Sequence, residues 1–196
     1  MRGDRELIYI IRHGQTELNN RHMLQGRSDY PLNEKGIEQA KEAAANLKET
    51  NFRMVYSSPL IRAVQTAEII APGVSIRTDK RLIEMDYGPY EGMDLNAPAP
   101  EVTLFFSDFV HNPAPEGMEQ LHCIVSRTGE FLEECCRTEE DILISTHAIA
   151  MKGILEYLTP DSNGSYWSKR IGNCEIYTAA YIKGRFSVPE RIAKQL

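Results

Sequence analysis

Four side chains in this sequence have the chemistry to handle an anion: the adjacent pair Arg12 and His13, then Arg62, then His147. An arginine presents a planar fork of N–H donors that matches phosphate oxygens. A neutral imidazole presents a lone pair that can attack an electrophile or carry a proton. Gly14 follows the first pair and lets the backbone turn sharply and come close to a ligand. Taken alone, Arg12-His13-Gly14 reads more readily as a surface turn than as a site. The chemistry depends on whether the fold brings the four side chains together.

The surrounding elements are built to do so. The apolar run before Arg12, residues 8–11, reads as a buried strand, and its C-terminal end is where open α/β sheets place ligands. Asn33 is a helix N-cap, and Ile37, Ala40, Ala44 and Leu47 carry that helix to about Thr50. Residues 52–57 read as a second strand. Ser58 as cap and Pro59 at the first position then start a helix with Leu60, Ala63, Val64 and Ala67 on its buried face. Arg62 falls in its first turn, where the helix dipole disfavours a cation unless the two share an anion. A short third strand covers 74–77, and a turn-rich segment, 81–92, carries Glu84, Asp86 and Glu91. A helix from Pro98 presents Val102, Phe105, Phe106 and Phe109 on one face; residues 113–117 break it, and a longer helix runs through Leu121 to Cys135. Residues 141–146 form another strand with His147 at its end, followed by a helix over 148–158 and a late strand over 174–182. Strands alternating with helices predict a mostly parallel sheet covered on both faces. If the first, second and fourth strands are neighbours, Arg12, His13, Arg62 and His147 converge at one edge.

Composition narrows the function. The 196 residues fit one domain, taken as 1–196 with a cap-like insertion at about 87–117. A net charge of −6 gives no electrostatic footprint for nucleic acid or an anionic membrane. Five apolar residues after a polar start are too few for a signal peptide or a membrane span, so the cytoplasm is the expected location. Cys123, Cys135, Cys136 and Cys174 show no metal or redox spacing and are expected to be reduced and mostly buried.

The motifs in order resemble those of the histidine phosphatase superfamily, the phosphoglycerate mutase-like fold. They are Arg12-His13-Gly14-Gln15-Thr16 with Asn19; Leu24-Gln25-Gly26, Pro31-Leu32-Asn33, and Gly36 with Gln39-Ala40; Ser57-Ser58-Pro59-Leu60 with Arg62-Ala63 and Gln65-Thr66-Ala67; Leu82, Glu84, Gly88 and Glu91-Gly92; His147; and Asn173-Cys174. The resemblance implies a three-layer α/β/α sandwich with a mostly parallel central sheet. It implies a phosphomonoester hydrolase, with His13 as the nucleophile that forms a phosphohistidine. Arg12, Arg62 and His147 would hold the phosphoryl oxygens, Asn19 would add a hydrogen bond, and Gln25, Gly26 and the backbone at Ala148 would complete the phosphate or substrate contacts. Glu84 would protonate the leaving oxygen and then activate water, with Asp86 the rival carboxylate. The two arginines and His147 supply the positive charge, so no metal and no other cofactor is expected. The implied partner is a small-molecule phosphomonoester; monomer and homodimer both stay open.

Two departures from the family pattern stand out. Ala148 replaces the usual Gly after the second histidine. Gly117-Met118-Glu119 replaces the usual Gly-Glu-Ser, which leaves Glu116 and Glu119 as substitutes for that Glu. Of the remaining histidines, His111 and His122 read as structural or exposed, while His22 is near enough to the signature to reach the pocket. Neither Lys nor Arg occurs from Asp86 to Ser126. A glycolytic mutase needs cations over its site for a second anionic group, so the insertion favours a phosphatase whose substrate has an apolar or neutral body; Arg21, Arg27 and Lys80 are the other candidate cations. The small bacterial phosphatases, α-ribazole phosphatase among them, are the members most similar in the first block. Phosphoglycerate mutase-type transfer and a non-catalytic phosphate-binding member are the alternatives.

Overall fold

The computed structural model describes residues 6–135 and 140–192. Cys136 and the first five residues, read above for redox state and targeting, lie outside them. Strand β1 (Glu6–Arg12) is followed by the short helix α1 (Glu17–Asn20), helix α2 (Glu34–Asn46), strand β2 (Met54–Ser57), helix α3 (Ile61–Ile70) and strand β3 (Ile76–Thr78). Two 3₁₀ turns lead to helix α4 (Pro100–Ser107) and helix α5 (Leu121–Cys135). Then come β4 (Ile142–Thr146), α6 (Ala148–Leu158), β5 (Ile176–Ile182) and the short strands β6 (Arg185–Phe186) and β7 (Glu190–Arg191).

The strands lie in the order β3-β2-β4-β1-β5-β6, with β7 on β5. Strands β1 to β4 pair in parallel, and β5 runs antiparallel to β1. β1 and β4 occupy the centre, which is why both are apolar on both faces. Ile8, Ile10, Ile142 and Ile144 pack against α5 and α6 through Phe131, Leu132, Met151 and Leu155. Tyr9, Ile11 and Leu143 pack the other way, against Ala40 and Ala43 of α2 and Ala67 and Ile70 of α3. The result is the three-layer α/β/α sandwich. A third cluster stands apart from the sheet: Leu24, Met85, Tyr87, Val102, Phe105, Ala114 and Met118 pack with Ile124, Ile149 and Trp167. Here the insertion is sewn to the ends of α5 and α6.

Element boundaries differ from the sequence reading at three helix ends. α3 starts at Ile61, not at Pro59, because Leu60 takes an extended conformation. Its first N–H is capped by Asp29, whose Oδ1 accepts from Ile61 N at 2.7 Å from a loop 32 residues away. Ser58 is thereby released for another task. α4 starts at Pro100, since Ala99 before a proline is held out of the helical region, and Phe109 falls beyond its end. α2 stops at Asn46, and a turn from Leu47 to Thr50 replaces the last expected turn.

Candidate active site

The sheet order decides the site. β2, β4 and β1 are consecutive neighbours, so the ends that carry Arg62, His147 and the Arg12–His13 pair stand side by side. His13 N donates to Thr146 O at 2.9 Å and Ser58 N to Ser145 O at 2.9 Å, so the three ends are laced together just past the sheet. A further bond brings in the acid segment: Thr146 Oγ1 donates to Leu82 O at 2.8 Å and fixes the chain two residues before Glu84. Gly14 is packed so closely on Gly36 that a Cβ there would sit 2.4 Å from Gly36 O. Its N–H donates to Thr66 Oγ1 at 3.1 Å, and Thr66 in turn donates to Arg62 O.

His13 is buried. Its Nδ1 lies 2.6 Å from Gly14 O, so Nδ1 carries the proton and Nε2 the lone pair. Arg62 Nε approaches that Nε2 at 3.3 Å. Burial, then Arg62 and Arg12, push the imidazole pKa well down, which keeps the ring neutral. His147 is fully buried, its ring centroid 5.1 Å from that of His13, and it is held neutral by burial first and by Arg62 second. Its Nε2 is 2.7 Å from Ser58 Oγ. Arg62 is the largest fully buried side chain of the protein's described residues; its Nη1 and Nη2 donate to Ser28 O at 2.7 Å and Gly26 O at 2.6 Å. Burial lowers its pKa to about 10, with Glu84, Asp29 and Glu91 opposing, so it is still a cation at neutral pH. Arg12 Nη1 donates to Ile171 O at 2.6 Å.

Glu84 is buried as well. Oε1 accepts from Met85 N at 2.9 Å and Ala150 N at 3.0 Å, and Oε2 from Ile149 N at 3.2 Å. Two of these donors are first-turn N–H groups of α6, which have no partner within the helix. Asp86, the rival carboxylate, is half-exposed and paired with Arg27 at 2.7 Å. Three buried side-chain nitrogens around this centre have no protein partner: Arg12 Nε, Gln25 Nε2 and His147 Nδ1. Buried polar groups are rarely left unpaired, so a site that gathers three of them is one that takes a polar ligand. Among the described residues, no group of three or more His, Cys, Asp or Glu is placed to hold a metal ion.

The model of the histidine phosphatase superfamily (branch 1) matches residues 8–192. The chain belongs to that superfamily. It is 30% identical over 182 residues to "Probable phosphoglycerate mutase GpmB" of Escherichia coli, covering 89% of this chain and 84% of that one. Among solved structures, a mutant phosphoserine phosphatase from Entamoeba histolytica in complex with phosphoserine superposes with a TM-score of 0.85 at 26% identity, over 97% of this chain and 98% of the other. The phosphoserine phosphatase of that organism in complex with 3-phosphoglyceric acid gives 0.83 at 27% identity, with the same coverage.

The other expected contact residues are placed more variously. Asn19 is half-buried; its Oδ1 accepts from Thr16 N and Asn173 Nδ2, and its Nδ2 donates to Gln25 Oε1 at 3.5 Å. Gln25 Oε1 accepts from Thr16 Oγ1 at 2.6 Å. The Gly26 N–H is already given to Glu91 at 2.9 Å and its carbonyl to Arg62, so Gly26 orients the arginine by both its polar groups. Ala148 is half-buried at the start of α6. Glu119 pairs with Arg127 at 2.7 Å and accepts from Asp86 N; Glu116, His22, His111 and His122 are exposed.

Reading the sequence missed the partners of Ser58 and Glu91, which it named, and missed Lys152 altogether. Ser58 serves His147 and not the helix as its N-cap, which followed from where the helix starts. Glu91 accepts from the N–H groups of Gly26, Arg27 and Ser28 and from Ser28 Oγ at 2.5 Å, bracing the loop that holds Arg62. Lys152 is buried in α6, with Nζ donating to Trp167 O at 2.6 Å. A lysine inside the apolar run from Ala148 to Leu155 was the signal that could have revealed it. The cations sought in the insertion also stand elsewhere: Arg27 is consumed by Asp86 and Glu119, while Lys152, Lys169 and Arg170 gather beside the insertion from α6 and the loop after it.

Proposed function

We propose that this protein is a metal-independent phosphomonoester hydrolase acting on a small molecule through a phosphohistidine on His13. The observation that carries the reading is the His13 ring. It is fixed with Nε2 unprotonated, kept neutral by burial, and flanked at that nitrogen by a buried arginine. Nε2 attacks phosphorus while the phosphoryl oxygens meet Arg12, Arg62 and His147. Ser58 Oγ accepts from Leu60 N and donates its own hydrogen to His147 Nε2, leaving Nδ1–H of that ring to face a phosphoryl oxygen. Asn19, Gln25 and the Ala148 backbone add donors at the edge. Fixed cations and N–H groups aimed at developing charge are the main source of catalysis in phosphoryl transfer.

Glu84 gives a proton to the leaving oxygen as the P–O bond breaks. It then takes a proton from the water that attacks the phosphohistidine, and inorganic phosphate leaves as the His13 lone pair is restored. Its three backbone donors hold the carboxylate in one place for both steps.

The test is hydrolysis of p-nitrophenyl phosphate and a panel of phosphomonoesters with EDTA present, for the wild type and His13→Ala, with alkaline quenching to trap the labelled enzyme. Activity that survives EDTA, and a base-stable, acid-labile phosphoryl label that is absent from His13→Ala, is the expected result. Hydrolysis that persists in His13→Ala overturns it. The similarity to GpmB favours phosphoryl transfer as the second reading. Interconversion of phosphoglycerates with a bisphosphoglycerate primer at rates matching hydrolysis would establish that reading instead.

A further inference from the structure

Arg12 is held at both main chain and side chain by one turn, residues 171–175, which leads into β5. Arg12 N donates to Glu175 O at 3.1 Å, and Arg12 O accepts from Cys174 N at 3.0 Å. Arg12 Nη1 donates to Ile171 O at 2.6 Å. These bonds reach both ends of the turn, so its shape sets where the guanidinium points. The same turn touches the nucleophile's loop: Asn173 Nδ2 donates to His13 O at 3.0 Å and to Asn19 Oδ1 at 3.3 Å. Cys174 sits in the left-handed region, at φ 52°, where a residue with a side chain is uncommon. The turn therefore needs support beyond its own local preferences.

One carboxylate supplies it. Glu175 N donates to Gly172 O at 3.2 Å, and Glu175 Oε2 accepts from Gly172 N at 3.0 Å. Gly172 follows Ile171, the anchor of Arg12 Nη1, so the Glu175 side chain ties one end of the turn to the other. Glu175 is buried between the core residues Cys174 and Ile176, where a carboxylate is costly unless N–H groups or a cation meet it. The cation comes from a later strand. Arg191 Nε lies 3.1 Å from Glu175 Oε1, and Arg191 Nη2 donates to Oε2 at 3.2 Å, a two-nitrogen grip. β7 delivers this arginine by pairing Arg191 with Tyr177 and Glu190 with Thr178 at the root of β5. Ile192 N donates to Ile176 O at 2.9 Å and fixes the strand there.

We propose that Glu175, gripped by Arg191, is a positioning residue for the phosphate site: by closing the 171–175 turn it aims the Arg12 guanidinium, with its unpaired Nε, at the phosphoryl group. This rests on the hydrolase reading above and makes β7 part of what renders the site competent. Glu175 takes no part in the chemistry. It acts through Arg12, and energetic coupling between the two residues is what separates positioning from general stability.

The experiment is a double-mutant cycle of Glu175→Ala and Arg12→Ala, read as kcat/KM on p-nitrophenyl phosphate well below each unfolding midpoint, with circular dichroism as the check on folding. Alone, Glu175→Ala should lower kcat/KM by about 10- to 100-fold, since a misplacement of about 1 Å costs about 10²-fold. In the Arg12→Ala background it should cost less than about 3-fold, because the group it positions is gone. Equal losses in the two backgrounds overturn the proposal, and so does a folded Glu175→Ala protein within about 3-fold of wild type. If Glu175→Ala does not fold, Arg191→Met decides, since the Arg191 side chain is 60% exposed. It should lose about 5-fold in kcat/KM, a loss absent from the Arg12→Ala background and recovered in Arg191→Lys, which keeps the charge. A loss that persists without Arg12, or no loss at all, overturns the proposal. Absence of hydrolysis on every ester by the wild type sinks the hydrolase reading instead. The same cycle read by calorimetric titration with inorganic phosphate then decides the positioning, and serves equally if Arg12→Ala turns over too slowly to measure. A loss of affinity in Glu175→Ala that vanishes in the Arg12→Ala background supports it; an equal loss in both, or none in either, refutes it.

Discussion

Replacing Glu91 with alanine should damage catalysis at a residue that makes no contact with His13. The carboxylate accepts from the N–H groups of Gly26, Arg27 and Ser28 and from the Ser28 hydroxyl. Gly26 O and Ser28 O, on that same loop, are the acceptors for both terminal nitrogens of Arg62. In Glu91→Ala, water can reach the N–H of exposed Arg27, but Gly26 is buried and its donor is left without a partner. An orphaned buried donor costs about 1–3 kcal/mol, so a stability loss of about 2 kcal/mol is expected. That corresponds to a fall in Tm of about 4–8 °C for a chain of this size. The larger effect should be on rate. With the loop unpinned, the Arg62 guanidinium loses its fixed place beside Nε2, and a displacement of about 1 Å in a positioning group costs about 10²-fold. The assay is kcat/KM on p-nitrophenyl phosphate well below the lowered Tm, with circular dichroism as the check on folding. A folded Glu91→Ala protein that keeps kcat/KM within about 3-fold of wild type refutes the reasoning, because Arg62 would then be held without the loop.

Other expectations follow from the same geometry. Glu84→Gln should lower kcat for alkyl phosphates by about 10²–10⁴-fold, and Asp86→Asn, at a half-exposed residue paired with Arg27, should have little effect; the opposite pattern would move the acid to Asp86. His13 and His147 have pKa values well below the unfolded value of about 6.5. Below that pH the unfolded chain binds protons that the folded one does not. Stability should therefore fall on acidification, by about 1.4 kcal/mol per pH unit for each histidine. Urea unfolding between pH 5 and 8 should show this slope reduced in His147→Asn, and an identical slope in that variant would contradict it. Ser58→Ala leaves the buried His147 Nε2 without a partner and should lower kcat/KM on the same ester by about 10-fold, with a stability loss of about 1–3 kcal/mol read from the unfolding midpoint. Gly36→Ala places a Cβ 2.1 Å from Gln15 O and should destabilise the signature loop by about 2 kcal/mol or more, read as a drop in the unfolding midpoint.

By itself the sequence determined the elements that local chemistry controls. The apolar runs of β1 and β4, the Asn33 cap of α2 and the span of α6 are legible because strand burial, capping and helical periodicity act over a few neighbouring residues. His13, Arg62 and His147 were legible as chemistry at strand ends for the same reason. The tertiary structure alone decided which strands are neighbours, and hence that the three ends form one site. It also decided which polar groups are spent on one another. Asp29 caps α3 from a distant loop and frees Ser58 for His147; Glu91 holds the Arg62 loop; the α6 N–H groups fix Glu84; Asp86 neutralises Arg27. Each of these pairs joins residues far apart in the chain, and no periodicity records a partner so distant. The charge beside the insertion shows the same limit. Lys152 and Arg170 face the insertion from another part of the chain, so a segment without Lys or Arg still borders a basic cleft. The sequence orders residues along a line, whereas electrostatics depends on distance through space.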